Sequence, residues 1–187
     1  NQVCHGALVI GALAIADREP ALARRTVQRA IEHVHSSAKA YVPDGVYPEG
    51  PGYWAYGTTF HVAMIAALET AVGDRCGLDS FPGFLRTADF PNQVTAPTGE
   101  MFNYADSAST RGFEPALFWF ARRLRQPAVV RWEREHVAAL SARTADARSR
   151  FLPLALLWWD PSLQTLPAPA ATLHWKGEGA VPVAVHR

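Results

Sequence analysis

Apolar residues recur with helical spacing along most of this chain. The run over residues 3–16 is apolar on nearly every side and stops at Asp17, which predicts a buried helix. Pro20 suits the first turn of a second helix, in which apolar residues recur at helical spacing through Ala38 while the other face carries arginines. The chain is therefore predicted to open with a buried helix followed by an amphipathic one.

Two irregular stretches then interrupt the helical pattern. Residues 41–57 hold three prolines and four glycines among five aromatic residues, so an ordered loop is predicted there. Thr58 or Thr59 suits the cap of the next predicted helix, residues 60–72. Residues 75–112 lack a helical period, and an irregular stretch of this length is normally functional or folded on itself.

The rest of the chain is predicted to form further helices, followed by a linker and a strand. Three further helices are predicted, each bounded by proline or a polar cluster: residues 115–125, 128–142 and 151–159. Residues 166–172 read as a linker rich in proline and alanine, and residues 181–185 alternate as a strand does.

Helices joined by loops, with no βαβ pattern, indicate an all-α domain over residues 1–165. Stacked helical hairpins of this kind are predicted to form an arc or a toroid. Because the chain ends as a strand begins, we expect a truncated second domain over residues 173–187.

Composition narrows the class of protein. Of 187 residues 49% are apolar and 19% are charged, which is too apolar for a disordered chain, and no apolar run reaches the roughly 20 residues of a membrane span. A net charge of +1 provides no strongly basic surface for nucleic acid. Cys4 and Cys76 lack a metal-ligand spacing, so we expect two buried thiols and neither a metal nor a cofactor. The chain opens at Asn1 without a signal segment, so we expect its natural start to be missing.

Three segments carry a resemblance to a known family. They are residues 1–6 (NQVCHG), 43–57 (PDGVYPEGPGYWAYG) and 102–107 (FNYADS). Together they resemble the heparinase II/III-like polysaccharide lyases, and the middle segment is the most specific of the three. Residues 181–187 (VPVAVHR) are similar to the opening of the β-sandwich of that group.

The resemblance implies a fold and an activity. Members of the group have an incomplete (α/α) toroid followed by a β-sandwich, with an anionic polysaccharide bound between them. They cleave uronic-acid-containing glycans by β-elimination, which implies an acidic polysaccharide or oligosaccharide as partner and a periplasmic or secreted location. A further active-site histidine comes from the β-sandwich, and neither His174 nor His186 matches it. Residues 173–187 would be only the first-strand region of that domain, so we expect the isolated piece to be inactive.

The resemblance also implies roles for single residues. Tyr53 is the implied catalytic tyrosine, which would protonate the departing 4-oxygen. Asn1 and His5 lie about where the group has the residue that neutralises the carboxylate or acts as the base. The implied substrate-binding residues are Tyr56, Trp54, Glu49, Asn103 and Tyr104.

Other interpretations of these residues stay open. Tyr53 and Tyr56 would equally pack the loop against the helices, and a lone histidine such as His5 in an apolar helix is more often a core residue than a catalyst.

Two other functions also fit an α/α toroid. One is a glycoside hydrolase, for which the candidate carboxylates are Glu49, Asp44 and Asp106. The other is a non-catalytic acidic-glycan-binding or scaffold domain that has kept the aromatic cleft without the chemistry.

Overall fold

The computed structural model of the chain describes residues 1–141, 150–165 and 173–186. These residues contain seven α-helices and one small antiparallel sheet, so the chain is mostly helical, as the sequence predicts. The helices are α1 (Gln2–Ala14), α2 (Pro20–Ala38), α3 (Gly50–Val72), α4 (Phe90–Gln93), α5 (Ala116–Leu124), α6 (Arg131–Ser141) and α7 (Leu152–Trp158). The strands are β1 (His174–Gly177) and β2 (Val183–His186). The predicted bounds of α2, α5 and α7 are confirmed to within one residue.

Helices α1 and α2 form an antiparallel hairpin. Asn1, directly before α1, donates a hydrogen bond from Nδ2 to Ser36 Oγ in the last turns of α2, at 3.1 Å. The predicted amphipathic character of α2 is confirmed, because its small apolar residues are buried and its arginines are exposed. The buried residues of α2 are Ala23, Ala30, Val34 and Ala38.

Helix α3 runs parallel to α1 and packs closely against it. Gln2 lies against Gly57, and Gly6 lies against Phe60. Gly6 permits this approach, because a Cβ at that position would lie 2.6 Å from the carbonyl oxygen of Phe60. The N-terminal halves of the two helices therefore share one core.

The prediction that α1 is a fully buried helix is wrong. Helices α2 and α3 cover only one stripe of it, so Leu8 on the other side is 56% exposed. The buried residues of α1 are Gln2, Gly6, Val9 and Ala12. The expectation of two buried thiols is wrong as well. Cys4 lies on the uncovered side of α1 and is exposed, while Cys76 lies in the turn after α3 and is half-buried.

Helix α3 begins at Gly50, well before the predicted start at residue 60. The prediction of a loop over residues 41–57 is therefore wrong for its second half. Pro51 lies in the first turn, where a residue needs no backbone donor. Thr58 and Thr59, the predicted caps, are buried inside the helix instead.

The long stretch over residues 75–112 is folded against the helices. It contains a 3₁₀ turn (Arg86–Asp89) that leads directly into α4, followed by two isolated β-bridges. Phe84 and Phe90 from this stretch are almost completely buried. The ring of Phe84 lies edge-on to that of Tyr41, with 5.1 Å between their centroids. The stretch is therefore bridged within itself and packed on the core.

Strands β1 and β2 form a hairpin in which His174 faces His186. The sequence predicts only the second of these strands. The backbone N–H of Glu178, in the turn, donates to Asp44 Oδ2 at 2.7 Å. The turn of the hairpin therefore rests on the loop that precedes α3.

Three further sequence predictions concern the second half of the chain. The predicted linker, residues 166–172, lies outside the described residues, as does the predicted end of α6 at Ala142. Helix α6 begins at Arg131, after a separate 3₁₀ turn (Pro127–Val130), where the sequence predicts one continuous helix. Within the described part of the chain, no helix combines the length and the apolar character needed to cross a membrane.

Candidate functional site

The segment 43–57, the most specific part of the resemblance, divides into two faces in the structure. Because residues three or four positions apart share a helix face, Trp54 and Thr58 both point inward from α3 and are completely buried. Tyr53 and Tyr56 lie on the opposite side, and their side chains are 44% and 41% exposed. The segment therefore supplies core contacts and an exposed tyrosine surface at once.

The inward face of α3 joins a buried hydrogen-bond network. Gln2 donates from Nε2 to the hydroxyl of Tyr41 at 2.6 Å, and the hydroxyl of Tyr47 donates to Gln2 Oε1 at 3.0 Å. The hydroxyl of Tyr41 also lies 3.0 Å from Thr58 Oγ1. Gly57 makes room for Gln2, since a Cβ there would lie 2.6 Å from its Oε1. The network joins the start of α1 and the loop before α3 to the middle of α3.

Burial keeps the two phenols of this network neutral. Desolvation raises the pKa of Tyr41 far above its ordinary value of 10.0. Desolvation also raises the pKa of Tyr47 to about 12, and the negative charge of Glu49 adds to that effect. Both hydroxyls are also buried and bonded to other groups of the protein. The network therefore joins parts of the fold and is not open to a ligand.

Trp54 belongs to this core and has no surface for a sugar. Its Nε1 donates to Thr87 Oγ1 at 2.7 Å, and the hydroxyl of Thr87 donates in turn to the carbonyl of Gly45. The ring centroid of Trp54 lies 6.3 Å from that of Phe90. A completely buried ring with its N–H satisfied serves packing, so the sugar contact that the resemblance implies for Trp54 is not available.

The segment 102–107 docks on the first turn of α3. The hydroxyl of Tyr104 donates to the backbone carbonyl of Tyr47, and the backbone N–H of Gly52 donates to Ser107 Oγ at 2.8 Å. Gly50 has a φ of +78°, and a side chain there would overlap the carbonyl of Tyr104. Two of the three segments that carry the resemblance are thus in contact, immediately before Tyr53.

The remaining implied sugar contacts differ in exposure. Asn103 and Glu49 are exposed, whereas Tyr104 is half-buried and uses its hydroxyl to hold Tyr47. Burial raises the pKa of Tyr104 to about 12. Glu49 directly precedes α3 but makes no capping hydrogen bond to it. Asn103 and Glu49 therefore face solvent near the start of α3, while Tyr104 has a docking role.

The exposed tyrosines continue into an aromatic group that carries one cation. The ring of Phe60 lies edge-on to Tyr56 and to Phe151, with centroid distances of 5.6 and 5.3 Å. The guanidinium of Arg150 lies over the ring of Phe151 at 4.8 Å and over that of Tyr56 at 5.9 Å. A guanidinium stacked on rings keeps its N–H edges for a carboxylate or sulfate. This surface, with Tyr53 beside it, has the chemistry to bind an acidic sugar.

Asn1 and His5 line a shallow cleft of about 530 Å³ along α1 and α2. Because a carbonyl oxygen can only accept, His5 donates from Nδ1 to the carbonyl of Asn1 at 2.9 Å, which leaves Nε2 of the neutral ring as an acceptor. The lining residues are Asn1, His5, Glu32, His33, His35, Ser36 and Lys39. The cleft combines a possible base with the ammonium group of Lys39.

Tyr53 is not among the described residues that line this cleft. Gln2, the neighbour of Asn1, contacts Gly57, which lies about one helical turn beyond Tyr53 on α3. The structure therefore brings Asn1 together with His5 on α1, and Tyr53 together with Tyr56 on α3.

The carboxylates proposed for a glycoside hydrolase are not gathered in this cleft. Asp44 accepts the backbone N–H of Glu178, and Glu49 and Asp106 are exposed. None of the three is among the described residues that line the cleft. A pair of carboxylates flanking a sugar there would have to include Glu32 instead.

The sequence gives no signal for a buried charged cluster near α6. Arg111 donates from Nη2 to Glu133 Oε1 at 2.7 Å, and the two side chains are 1% and 0% exposed. Glu114 beside this pair is half-buried, and its desolvation, followed by the charge of Glu133, raises its pKa to about 8. The guanidinium of Arg111 also lies 4.5 Å from the ring centroid of Trp132. Arg111 and Glu133 look like surface charges in the sequence, because only the tertiary packing encloses them.

Comparison with known proteins assigns neither a family nor a function to this chain. No family model matches this chain, and no curated protein matches it. The residues and their contacts are therefore the basis for proposing a function.

Proposed function

We propose that this chain is the helical part of a lyase that cleaves uronic-acid-containing polysaccharides by β-elimination. In this proposal its helices belong to an incomplete (α/α) toroid, the β1–β2 hairpin begins a β-sandwich, and the protein acts in the periplasm or outside the cell. The observation that carries the proposal is the contact between segments 43–57 and 102–107 beside the exposed Tyr53 and Tyr56.

The proposed reaction has three tasks. A base removes the proton on C5 of the uronic acid, the electron pair forms the C4–C5 double bond, and the 4-oxygen leaves with a proton from an acid. Loss of the C5 proton places further negative charge on the neighbouring carboxylate. That carboxylate must therefore be neutralised, and fixed donors must hold the developing enolate charge. We assign the acid to Tyr53, the base to His5 Nε2, and the donor for the carboxylate to the amide of Asn1.

Substrate selection in this proposal follows from charge and ring stacking. The guanidinium of Arg150 is supported by two aromatic rings, and the ammonium group of Lys39 lies in the cleft with His5. Both would attract the carboxylates or sulfates of an acidic glycan. Tyr56 would stack on a sugar ring next to them.

The test measures product formation by the full-length natural protein that contains this sequence. It is incubated with heparin-like, alginate-like and other polyuronate chains, and the unsaturated product is followed by its ultraviolet absorbance. We expect Tyr53→Phe to lower turnover by about 10²–10⁴-fold. Tyr56→Phe, which keeps the ring, is the matched control and should change it far less.

Each outcome separates the lyase from its alternatives. Absence of unsaturated product with all of these glycans would end the lyase proposal. New reducing ends without ultraviolet absorbance would indicate a glycoside hydrolase. Binding of an acidic oligosaccharide without turnover at any pH would indicate a non-catalytic glycan-binding or scaffold domain. The isolated 187-residue chain is expected to be inactive.

A further inference from the structure

A serine of α2 holds the side chain of Asn1 in the cleft along α1 and α2. Ser36 lies in the last turns of α2, and Ser36 and Asn1 both line the cleft. Asn1 donates from Nδ2 to Ser36 Oγ at 3.1 Å, and Ser36 donates from Oγ to the backbone carbonyl of His33 at 3.0 Å. The first of these bonds joins residues 35 positions apart, so no local pattern in the sequence indicates it.

The bond to His33 decides which way round the amide of Asn1 lies. A serine hydroxyl carries one hydrogen, and here the carbonyl oxygen of His33 accepts it. Towards Asn1 the hydroxyl oxygen can therefore only accept, so the atom that faces it must be the amide nitrogen and not the amide oxygen. The hydrogen-bond pattern itself thus fixes the orientation of this amide.

This orientation leaves one donor of Asn1 for a ligand. The amide nitrogen carries two hydrogens, and Ser36 accepts one of them. The other has no protein acceptor among the described residues, and Asn1 forms part of the wall of the cleft. A donor that is fixed before the substrate arrives stabilises developing negative charge well, because it needs no reorganisation during the reaction.

We propose that Ser36 is a positioning residue that acts through Asn1. It orients the amide that neutralises the carboxylate of the substrate and holds the enolate charge when the C5 proton leaves. Ser36 takes no part in proton transfer, because its only hydrogen is bound to the backbone carbonyl of His33. This role rests on the proposed lyase function.

The neighbouring Ser37 provides a matched control on the same helix. Its Oγ donates to the backbone carbonyl of Val34 at 2.8 Å, so both serines bond the carbonyl of the third residue before them. Ser37 is not among the described residues that line the cleft. An effect of Ser36→Ala that Ser37→Ala does not share therefore reports the bond to Asn1, and not the loss of a serine from α2.

The test compares the kinetics of variants of the full-length natural protein on a polyuronate that it cleaves. Ser36→Ala should lower kcat by about tenfold and change KM by less than about twofold, because the amide acts on charge that develops in the transition state. Ser36→Thr keeps the hydroxyl and should restore most of the lost kcat. Ser37→Ala should leave both constants unchanged.

A double variant shows whether Ser36 acts through Asn1. Asn1→Ala should lower kcat by about 10²–10³-fold, and adding Ser36→Ala should lower it no further, because the oriented amide is already absent. A further loss in the double variant, an unchanged kcat in Ser36→Ala, or an equal loss in Ser37→Ala would each overturn the role of Ser36 and leave the lyase proposal standing. Absence of unsaturated product from every polyuronate with the unchanged protein would overturn the lyase proposal, and the role of Ser36 with it.

Discussion

The two faces of α3 come from one short segment and serve different purposes. On the inward face, Trp54 and Thr58 are completely buried and take part in hydrogen bonds to distant parts of the chain. On the outward face, Tyr53 and Tyr56 are each more than two-fifths exposed. Gly50 and Gly57 belong with the inward face, because each admits a group that a side chain would displace.

This difference shows which part of a distinctive motif is informative about function. The glycines and Trp54 make the segment easy to recognise, yet packing accounts for all of them. Tyr53 and Tyr56 have no comparable packing explanation, because much of each side chain remains in solvent. The outward residues are therefore the ones that remain available to a substrate.

The largest expected difference in unfolding free energy is between substitutions at two adjacent residues, Trp54 and Tyr53. Trp54→Ala should lower the free energy of unfolding by about 3–5 kcal/mol, because it removes a buried ring and leaves a cavity. Tyr53→Ala should lower it far less, by about 1 kcal/mol at most, because more than two-fifths of Tyr53 is already in solvent in the folded state. Urea unfolding of both variants measures this, and equal losses would contradict the division of α3 into two faces.

A buried histidine on the inward face makes stability depend on acid pH. Burial lowers the pKa of His61 to about 4, although its Nε2 donates to the carbonyl of Leu78. The folded state therefore binds fewer protons than the unfolded state between about pH 4 and 6.5. Stability is fully present above that window and should fall by about 3 kcal/mol as pH drops through it.

Comparison with His61→Gln isolates this contribution to the pH dependence. Denaturant unfolding at several pH values should show that the variant lacks the fall in unfolding free energy that protonation of His61 causes at acid pH. In the unchanged chain, the NMR signal of His61 should keep its neutral position down to about pH 4. A midpoint near 6.5 would show that the inward face is open to water.

A smaller effect is expected from one hydroxyl of the buried network. Tyr41→Phe leaves Gln2 Nε2 without its acceptor, which should cost about 1–3 kcal/mol of unfolding free energy. Tyr56→Phe removes the same atom from the outward face and is the matched control, with an expected change below about 0.5 kcal/mol. Thermal or urea unfolding of the two variants measures the difference. If Tyr41→Phe leaves the free energy of unfolding unchanged, the network adds no stability.

The smallest predicted effect concerns the contact between the two segments of the resemblance. Ser107→Ala removes the acceptor of the Gly52 N–H and should cost about 0.5–1.5 kcal/mol. Hydrogen exchange of the Gly52 amide should also become faster. Ser109→Ala, a few residues along the same stretch, serves as a control. Unchanged exchange at Gly52 would show that segment 102–107 does not hold the start of α3.

Local sequence information was sufficient for several helices and insufficient for α3. In α2, a proline in the first turn and a regular apolar stripe act within the helix itself, so its bounds followed from the sequence. In α3, Gly50, Gly52 and Gly57 looked like breakers, and only their partners explain them. Those partners are Tyr104, Ser107 and Gln2, none of which adjoins α3 in sequence.

The candidate site shows the same limit. The sequence singled out Asn1, His5, Tyr53 and Tyr56, but it could not tell which of them share a surface. Nor could it separate Trp54, a core residue, from its exposed neighbour Tyr53. The burial of Trp54 depends on its contacts with Thr87 and Phe90, which lie in a stretch without any periodic pattern.

The sequence by itself determined the helical class of this protein, the bounds of its most regular helices, and the presence of a strand near its end. Those properties depend on spacing, caps and side-chain size over a few residues, which is local information. Only the tertiary structure decided that residues 50–57 are helical, that Arg111 and Glu133 form a buried ion pair, and that His174 meets His186. Each of these depends on contacts between residues far apart in the chain, and a local pattern does not encode them.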